Sequence, residues 1–156
     1  MTKFLVDRML GQTAKWLRLL GLDAEYAPEG EDDKLKEIAE QEGRVIITRD
    51  KELAREKNAV LVEKEPPESI IPDIIEEYDV EIRPLSRCSK CNEKVEKVEK
   101  EEVEGKVPEN VFELNEEFWY CDECDQYYWR GSHWEKITER IDEMIEEYNG
   151  TRNLLN

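Results

Sequence analysis

The four cysteines occur as two close pairs, and this arrangement constrains the fold more than any other feature of the sequence. The pairs are Cys88 with Cys91 and Cys121 with Cys124, separated by 29 residues. Each C-x-x-C turn presents two sulfur atoms to one ion, so two turns supply the four thiolates of a tetrahedral zinc site. Because four cysteine ligands leave no coordination position open, we expect this zinc to be structural. In a small ribbon the metal would contribute much of the folding free energy.

Two disulfide bonds are the alternative use of the four cysteines. The first residues, Met-Thr-Lys-Phe-Leu-Val-Asp, meet a charge before the apolar segment of a secretory signal can form. No apolar run approaches the ~20 residues that a membrane-spanning helix requires. We therefore expect a cytoplasmic protein with no membrane association, and a reducing compartment favours zinc over disulfides.

Short apolar runs alternate with amphipathic segments over residues 1–85. The strand-like runs occupy residues 3–7, 23–27, 45–48, 59–62 and 80–82. Helical spacing is found at residues 10–20, from Asp32 or Asp33 to Gly43, from Lys51, and at residues 70–78. This alternation predicts an α/β fold with a small parallel sheet and helices on its faces.

Three aspartates occupy positions where such a sheet places a site. Asp7 follows the first strand, Asp50 follows the third, and Asp32 begins the intervening helix. Sites in parallel sheets form at the carboxyl ends of the strands, near the point where strand order reverses. Carboxylates brought together there repel one another unless a divalent cation such as Mg²⁺ or Mn²⁺ neutralises them. The alternative is that each aspartate caps a helix, a role in which acids are favoured.

Four stretches then occur in a fixed order: DRMLG at 7–11, WLRLLG at 16–21, DxxLxxIA at 32–39 and TRD at 48–50. This set resembles the PIN-like ribonuclease superfamily, and more narrowly the Mut-seven C-terminal RNase domain family, in which a minimal PIN-like unit precedes a zinc ribbon. The resemblance implies that Asp7, Asp32 and Asp50 are catalytic and bind Mg²⁺ or Mn²⁺, with Asp33 as the alternative to Asp32. Full-size PIN domains bring a further acid, for which Glu25, Glu29 and Glu31 are candidates by proximity alone.

Cationic residues are concentrated at the start of an otherwise acidic chain. The chain has 40 Asp and Glu against 23 Lys and Arg, a net charge of −17, whereas residues 1–22 carry a net charge of +3. An acidic protein binds RNA where a local basic patch or a divalent metal faces the phosphates. We expect Arg8, Arg18 and Arg49 to contact phosphates, for which guanidinium groups are suited. Ion pairs with neighbouring acids are the alternative.

Aromatic residues are densest around the second cysteine pair, over residues 118–134. Aromatic rings stack on unpaired bases, so Arg130 and His133 are predicted RNA contacts beside such a platform. The alternative is that the rings form the core of the ribbon. Because alternate residues of a strand face opposite ways, we expect about half of them to be core.

Together with the family resemblance, these features predict a PIN-like nuclease domain over residues 1–85, a zinc ribbon over 86–134 with a hairpin at 93–103, a helix over 135–149 and a loose tail at 150–156. The predicted function is a metal-dependent endoribonuclease with an RNA substrate. A catalytically degenerate RNA- or ribosome-binding factor is the main alternative, and a zinc-held protein adaptor is a third. An inhibitory protein partner, as in toxin–antitoxin pairs of the wider superfamily, stays open.

Overall fold

Short strands form a four-stranded parallel sheet in the first part of the chain. Its strands are β1 (Lys3–Val6), β2 (Ala24–Tyr26), β3 (Arg44–Thr48) and β4 (Ala59–Leu61), in the order β2-β1-β3-β4. The central strands β1 and β3 are rich in buried apolar residues, as expected for strands covered on both faces. Since β1 leads to β2 on one side and the chain then crosses to β3 on the other, strand order reverses between β1 and β3.

This computed structural model describes residues 1–27, 31–63, 67–132, 135–136, 138–143 and 146. Contacts divide the chain into two units, Met1–Asn92 and Glu93–Asn156. The predicted α/β class is confirmed by the parallel sheet and its flanking helices. In the part of the chain that is described, no helix is both long enough and apolar enough to span a bilayer.

The described part of the first unit also contains three α-helices: α1 (Gly11–Leu19), α2 (Asp32–Glu42) and α3 (Ile71–Glu77). Helix α2 ends at Gly43, which adopts the left-handed conformation (φ 67°) typical of this position. Gly21 also has a positive φ, and a Cβ there would lie 2.1 Å from the carbonyl oxygen of Arg83. Only glycine therefore permits the turn after α1. The helix predicted from Lys51 is a short 3₁₀ turn, Leu53–Arg55.

The two faces of the sheet bury different sets of side chains. Leu5 and Ile46 belong to a cluster that includes Leu35 and Ala39 of α2. Phe4, on the opposite face of β1, is fully buried and meets the ring of Tyr78 edge-on at 5.7 Å. Both faces of the central strands are thereby removed from water, which is the main source of stability for such a sheet.

The strand predicted at residues 80–82 is absent, and this prediction was wrong. The flanking residues make the nearby backbone bonds: the amide of Thr2 donates to Asp79 O at 2.9 Å, and the amide of Arg83 donates to Leu20 O at 2.8 Å. The second bond joins this segment to the end of α1. A short run of alternating apolar and polar residues forms a strand only where another strand is close enough to pair with it, and the run itself does not determine this.

The second unit contains a three-stranded antiparallel sheet, in the order β5-β6-β7. Its strands are β5 (Glu96–Val98), β6 (Phe118–Cys121) and β7 (Gln126–Tyr128). Two short helices, α4 (Lys100–Val103) and α5 (Glu109–Leu114), connect β5 to β6. The predicted hairpin at 93–103 was wrong, because the Glu- and Lys-rich residues after β5 form a helix that buries Val103, and β5 pairs with β6. Residues 138–143 are helical, whereas the predicted helix over 135–149 lies partly, and the predicted tail wholly, outside the described residues.

Candidate functional site

Asp7 lies at the carboxyl end of β1, next to the point where strand order reverses. Its backbone amide donates to Ile47 O at 2.8 Å, which fixes it against β3. Its carboxylate oxygen Oδ2 accepts a 2.7 Å hydrogen bond from the hydroxyl of Thr48. Thr48 is the last residue of β3 and is 0% exposed. The carboxylate of Asp7 is therefore oriented by a side chain that has no access to water.

Asp50 is hydrogen-bonded to the same threonine, Thr48. Its backbone amide donates to Thr48 Oγ1 at 3.0 Å, so one hydroxyl contacts both the Asp7 side chain and the Asp50 backbone. The Asp50 oxygen Oδ1 accepts from the amides of Glu52 (2.9 Å) and Leu53 (3.3 Å) and so caps the following turn. Both capping bonds use Oδ1 and do not engage Oδ2. Asp50 thus caps a helical turn at the carboxyl ends of the strands, the end of the sheet at which Asp7 also lies.

Asp32 meets Asp7 at a small cavity of about 40 Å³. This volume exceeds the ~10–15 Å³ that one water molecule requires. The cavity is lined by Asp7, Arg8, Ala27, Glu31, Asp32, Lys34 and Leu35. Glu31 holds the N-cap position of α2 without a side-chain capping bond, so the alternative in which Asp32 or Asp33 caps this helix was wrong. Asp33 is not among the described residues that line the cavity.

The candidates for a further acid are placed differently. Glu31 lines the same cavity as Asp7 and Asp32. The Glu25 carboxylate instead accepts a 3.0 Å hydrogen bond from the side chain of Asn92. Glu29 lies outside the described residues. Glu31 is therefore the candidate that the cavity favours.

The four cysteines form the closest group of metal-ligating side chains within the described ranges. The ligand atoms of Cys88, Cys91, Cys121 and Cys124 all lie within 4.8 Å of one another, and no disulfide joins them. Four sulfurs bound to one tetrahedral zinc at ~2.3 Å would lie ~3.8 Å apart, so the donor set fits a structural zinc. Among the same residues, no three carboxylates are gathered as closely. Mg²⁺ needs only one or two carboxylates because it retains several waters.

Two of the predicted RNA-binding arginines of the first unit are exposed, and the third is not. Arg8 lines the cavity beside Asp7, and its carbonyl oxygen accepts a hydrogen bond from the hydroxyl of Tyr26. Arg49 directly precedes Asp50 and is exposed. Arg18 is only 6% exposed. We correct the expectation of an RNA contact for Arg18, because a guanidinium buried to this degree is not available to a phosphate.

The guanidinium of Arg18 is used inside the protein instead. Its Nε donates to Ala24 O at 2.7 Å, and its Nη1 donates to Ser89 O at 3.2 Å and to Lys90 O at 3.1 Å. Burial lowers the pKa of Arg18, although the nearby Glu25 carboxylate opposes this change. Ser89 and Lys90 lie between the first two cysteines, so Arg18 contacts the turn that presents them.

The aromatic residues of the second unit divide between the two faces of its sheet. Phe118 is 0% exposed and contacts Phe112 and Trp129, with ring centres 6.4 and 6.5 Å away. On the opposite face, the guanidinium of Arg130 lies 5.4 Å from the ring centre of Trp119. Arg130 is itself exposed. One face thus forms core and the other presents partly exposed rings beside a cation.

Three residues that contact the site or the turn formed by residues 88–91 were not predicted from the sequence: Thr48, Lys34 and Asn92. Thr48 is part of the TRD string, but its hydroxyl bond to Asp7 requires knowledge of the strand register. Asn92 directly follows the first cysteine pair and has a positive φ of 72°, a conformation that asparagine tolerates. That pattern of a C-x-x-C turn followed by asparagine was the signal available in the sequence. His133, a predicted RNA contact, lies outside the described residues.

A known protein family matches most of this chain. The model of the Mut7-C RNAse domain matches residues 2–141, a range that includes the three aspartates and all four cysteines. A comparison with curated proteins finds no match. Since the match covers residues 2–141 of the 156 in the sequence, the chain belongs to the Mut7-C RNAse domain family.

Proposed function

We propose that this protein is a metal-dependent endoribonuclease whose site is formed by Asp7, Asp32 and Asp50. The observation that carries the proposal is the placement of Asp7. It lines a cavity with Asp32 and shares the Thr48 hydroxyl with Asp50. Carboxylates at the switch point of a parallel sheet suit Mg²⁺ or Mn²⁺. The family assignment supports an RNase and an RNA substrate.

The chemistry follows from the residues that surround the cavity. A bound Mg²⁺ or Mn²⁺ would lower the pKa of a water molecule and offset charge on the phosphodiester. Thr48 holds the Asp7 carboxylate toward the site, so that its orientation does not depend on solvent. Arg8 and Lys34 line the same cavity and would contact the phosphate oxygens. Hydrolysis, with water attacking phosphorus and the 3′ oxygen leaving, yields the 5′-phosphate product implied by the PIN-like resemblance.

Single-stranded RNA is the substrate that the second unit favours. Trp119 and Tyr128 lie opposite each other on adjacent strands, on the face that carries Arg130. Partly exposed aromatic rings beside a guanidinium can stack on unpaired bases. The four-cysteine zinc would have a structural role and would take no part in hydrolysis.

A catalytically degenerate RNA-binding factor is the second candidate. The net charge of −17 and the engagement of Glu25 with Asn92, away from the cavity, favour it. The placement of Glu31 beside Asp7 and Asp32 favours the enzyme, because it supplies a further carboxylate to the cavity.

Cleavage of end-labelled single-stranded RNA in Mn²⁺ separates the two candidates. We expect Asp7→Asn and Asp32→Asn to reduce the rate by at least ~100-fold, because each removes a carboxylate from the metal site. Asp33→Asn is the matched control, since Asp33 is the exposed neighbour of Asp32 and is not among the residues lining the cavity. RNA binding is measured separately in Ca²⁺. Binding without cleavage in the wild-type protein would favour the degenerate factor, and cleavage unchanged by Asp7→Asn would contradict the site.

A further inference from the structure

The turn formed by residues 88–91 (the cysteine turn) is hydrogen-bonded through Asn92 to β2, the edge strand of the parallel sheet. The backbone amide of Asn92 donates to Cys88 O at 3.0 Å, which closes the turn. Its side-chain oxygen accepts from the amide of Ala24 at 3.0 Å. Its side-chain nitrogen donates to Asp23 Oδ1 at 2.7 Å and to Glu25 Oε1 at 3.0 Å. Asn92 is only 3% exposed, so these bonds are not in competition with water.

Arg18 makes a second link between the same two segments. Its guanidinium donates both to Ala24 O in β2 and to the carbonyl oxygens of Ser89 and Lys90 in the cysteine turn. Since Asn92 binds the amide of Ala24 and Arg18 binds its carbonyl, both backbone groups of one strand residue are used. Helix α1, strand β2 and the cysteine turn are therefore held together by two buried polar side chains.

Strand β2 has only three residues and lies at the edge of the sheet, paired with β1 on one side. It leads directly to Ala27, which lines the cavity beside Asp7 and whose amide donates to Val6 O at 2.8 Å. A displacement of β2 would therefore reach one wall of that cavity. Without the cysteine turn, the outward-facing amide of Ala24 would lack this buried acceptor.

We propose that Arg18 and Asn92 are positioning residues that couple metal binding at the four-cysteine site to the order of β2. Metal loading fixes the cysteine turn, and the turn holds Ala24 through these two side chains. Loss of the metal by chelation releases β2 and loosens the cavity wall that Ala27 forms. This coupling depends on the cysteine site and not on the proposed nuclease activity.

Amide hydrogen exchange measured by NMR on the full chain tests the coupling. On removal of zinc with a chelator, we expect exchange at the Ala24 amide to accelerate by at least ~10-fold, because its acceptor on Asn92 is no longer held. The Asp7 amide, bonded to Ile47 O between β1 and β3, is the internal control and should remain protected. Unchanged protection at Ala24, or equal loss at Asp7 through global unfolding, would overturn the proposal.

Two variants test the residues themselves in the zinc-loaded protein. Asn92→Gly removes the side chain but retains the positive φ without strain, and Arg18→Lys removes the branched donor. Each should weaken zinc affinity by ~10–100-fold in competition with a chromophoric chelator, as expected for groups that orient metal ligands. Arg83→Lys, at an exposed arginine paired with Glu81, is the control and should bind zinc normally. Wild-type affinity in both test variants would overturn the proposal.

Discussion

The hydroxyl of Thr48 donates a 2.7 Å hydrogen bond to Oδ2 of Asp7 and so joins the ends of two neighbouring parallel strands. Because Thr48 is fully buried, this bond holds the Asp7 carboxylate in a fixed orientation. The same hydroxyl accepts from the amide of Asp50. One threonine thus organises two of the three proposed metal-binding aspartates.

Thr48→Val tests this relationship while keeping the shape of the side chain. It removes the hydroxyl, so the Asp7 carboxylate loses its donor and the Asp50 amide loses its acceptor. We expect Mn²⁺ affinity and the cleavage rate to fall by ~10–100-fold, the usual effect of losing a partner of a metal ligand. Thr48→Ser retains the hydroxyl and serves as the control. Equal Mn²⁺ affinity in the valine and serine variants would show that the bond has no such role.

The sequence predicted the central strands and the cysteine site for physical reasons. The apolar runs in β1 and β3 have few other stable placements than a sheet covered on both faces. Two C-x-x-C turns have a strong preference for one tetrahedral ion, and their sulfurs lie together in the structure. In both cases the residue types within one short segment, an apolar run or a C-x-x-C turn, determine the structural preference of that segment.

Features that depend on distant contacts could not be predicted in the same way. Arg18 lies on a cationic helix, and its burial follows from the approach of residues 89–90, which are more than seventy positions away. Residues 80–82 alternate like a strand, but the nearby backbone bonds join their neighbours to Thr2 and Leu20. Tertiary context decides such cases, because the local pattern is compatible with both outcomes.

Acid should weaken the network around Asp23. Burial alone would raise the pKa of Asp23, but hydrogen bonds from Arg44 and Asn92 outweigh it and lower that pKa below its ordinary value. The ionised carboxylate therefore contributes stability above its unfolded pKa of ~3.9, and this contribution is lost as pH falls through the lowered folded value. Asp23→Asn should unfold more easily at pH 7 by ~1–3 kcal/mol.

Denaturant unfolding between pH 7 and pH 2 checks this prediction. The free energy of unfolding of Asp23→Asn should depend less on pH below about pH 5 than that of the wild-type protein. Asp33→Asn, at an exposed position, is the control. A pH dependence that is the same in wild type and Asp23→Asn would contradict the assigned role.

Tyr120 should ionise only in strong alkali. Its hydroxyl donates a 2.8 Å hydrogen bond to Asp125, which raises the pKa of Tyr120 to about 12. The neutral phenol contributes stability below its ordinary pKa of ~10, and this is lost as pH rises through the folded value. Asp125→Asn keeps the positive φ of this position and should lower the pKa of Tyr120 toward its ordinary range. Residue-resolved NMR titration measures the change, and an unaltered pKa in the variant would refute this cause.

The core of the second unit should depend on Phe118. This ring is fully buried between Phe112 and Trp129, so Phe118→Ala should lower the free energy of unfolding by ~3–5 kcal/mol. Leu114→Ala is the matched control because Leu114 is 81% exposed, and its effect should stay within ~0.5 kcal/mol. Denaturant titration of the zinc-loaded protein measures both. Similar losses in the two variants would contradict the assignment of Phe118 to the core.

The most direct test of the shared metal site is a Mn²⁺ titration followed by electron paramagnetic resonance on the zinc-loaded protein. Asp7 should supply a ligand at the cavity it shares with Asp32. We predict that the wild-type protein and Asp33→Asn bind Mn²⁺ equally well, and that Asp7→Asn binds it at least ~10-fold more weakly. Wild-type affinity for Mn²⁺ in Asp7→Asn would contradict the account.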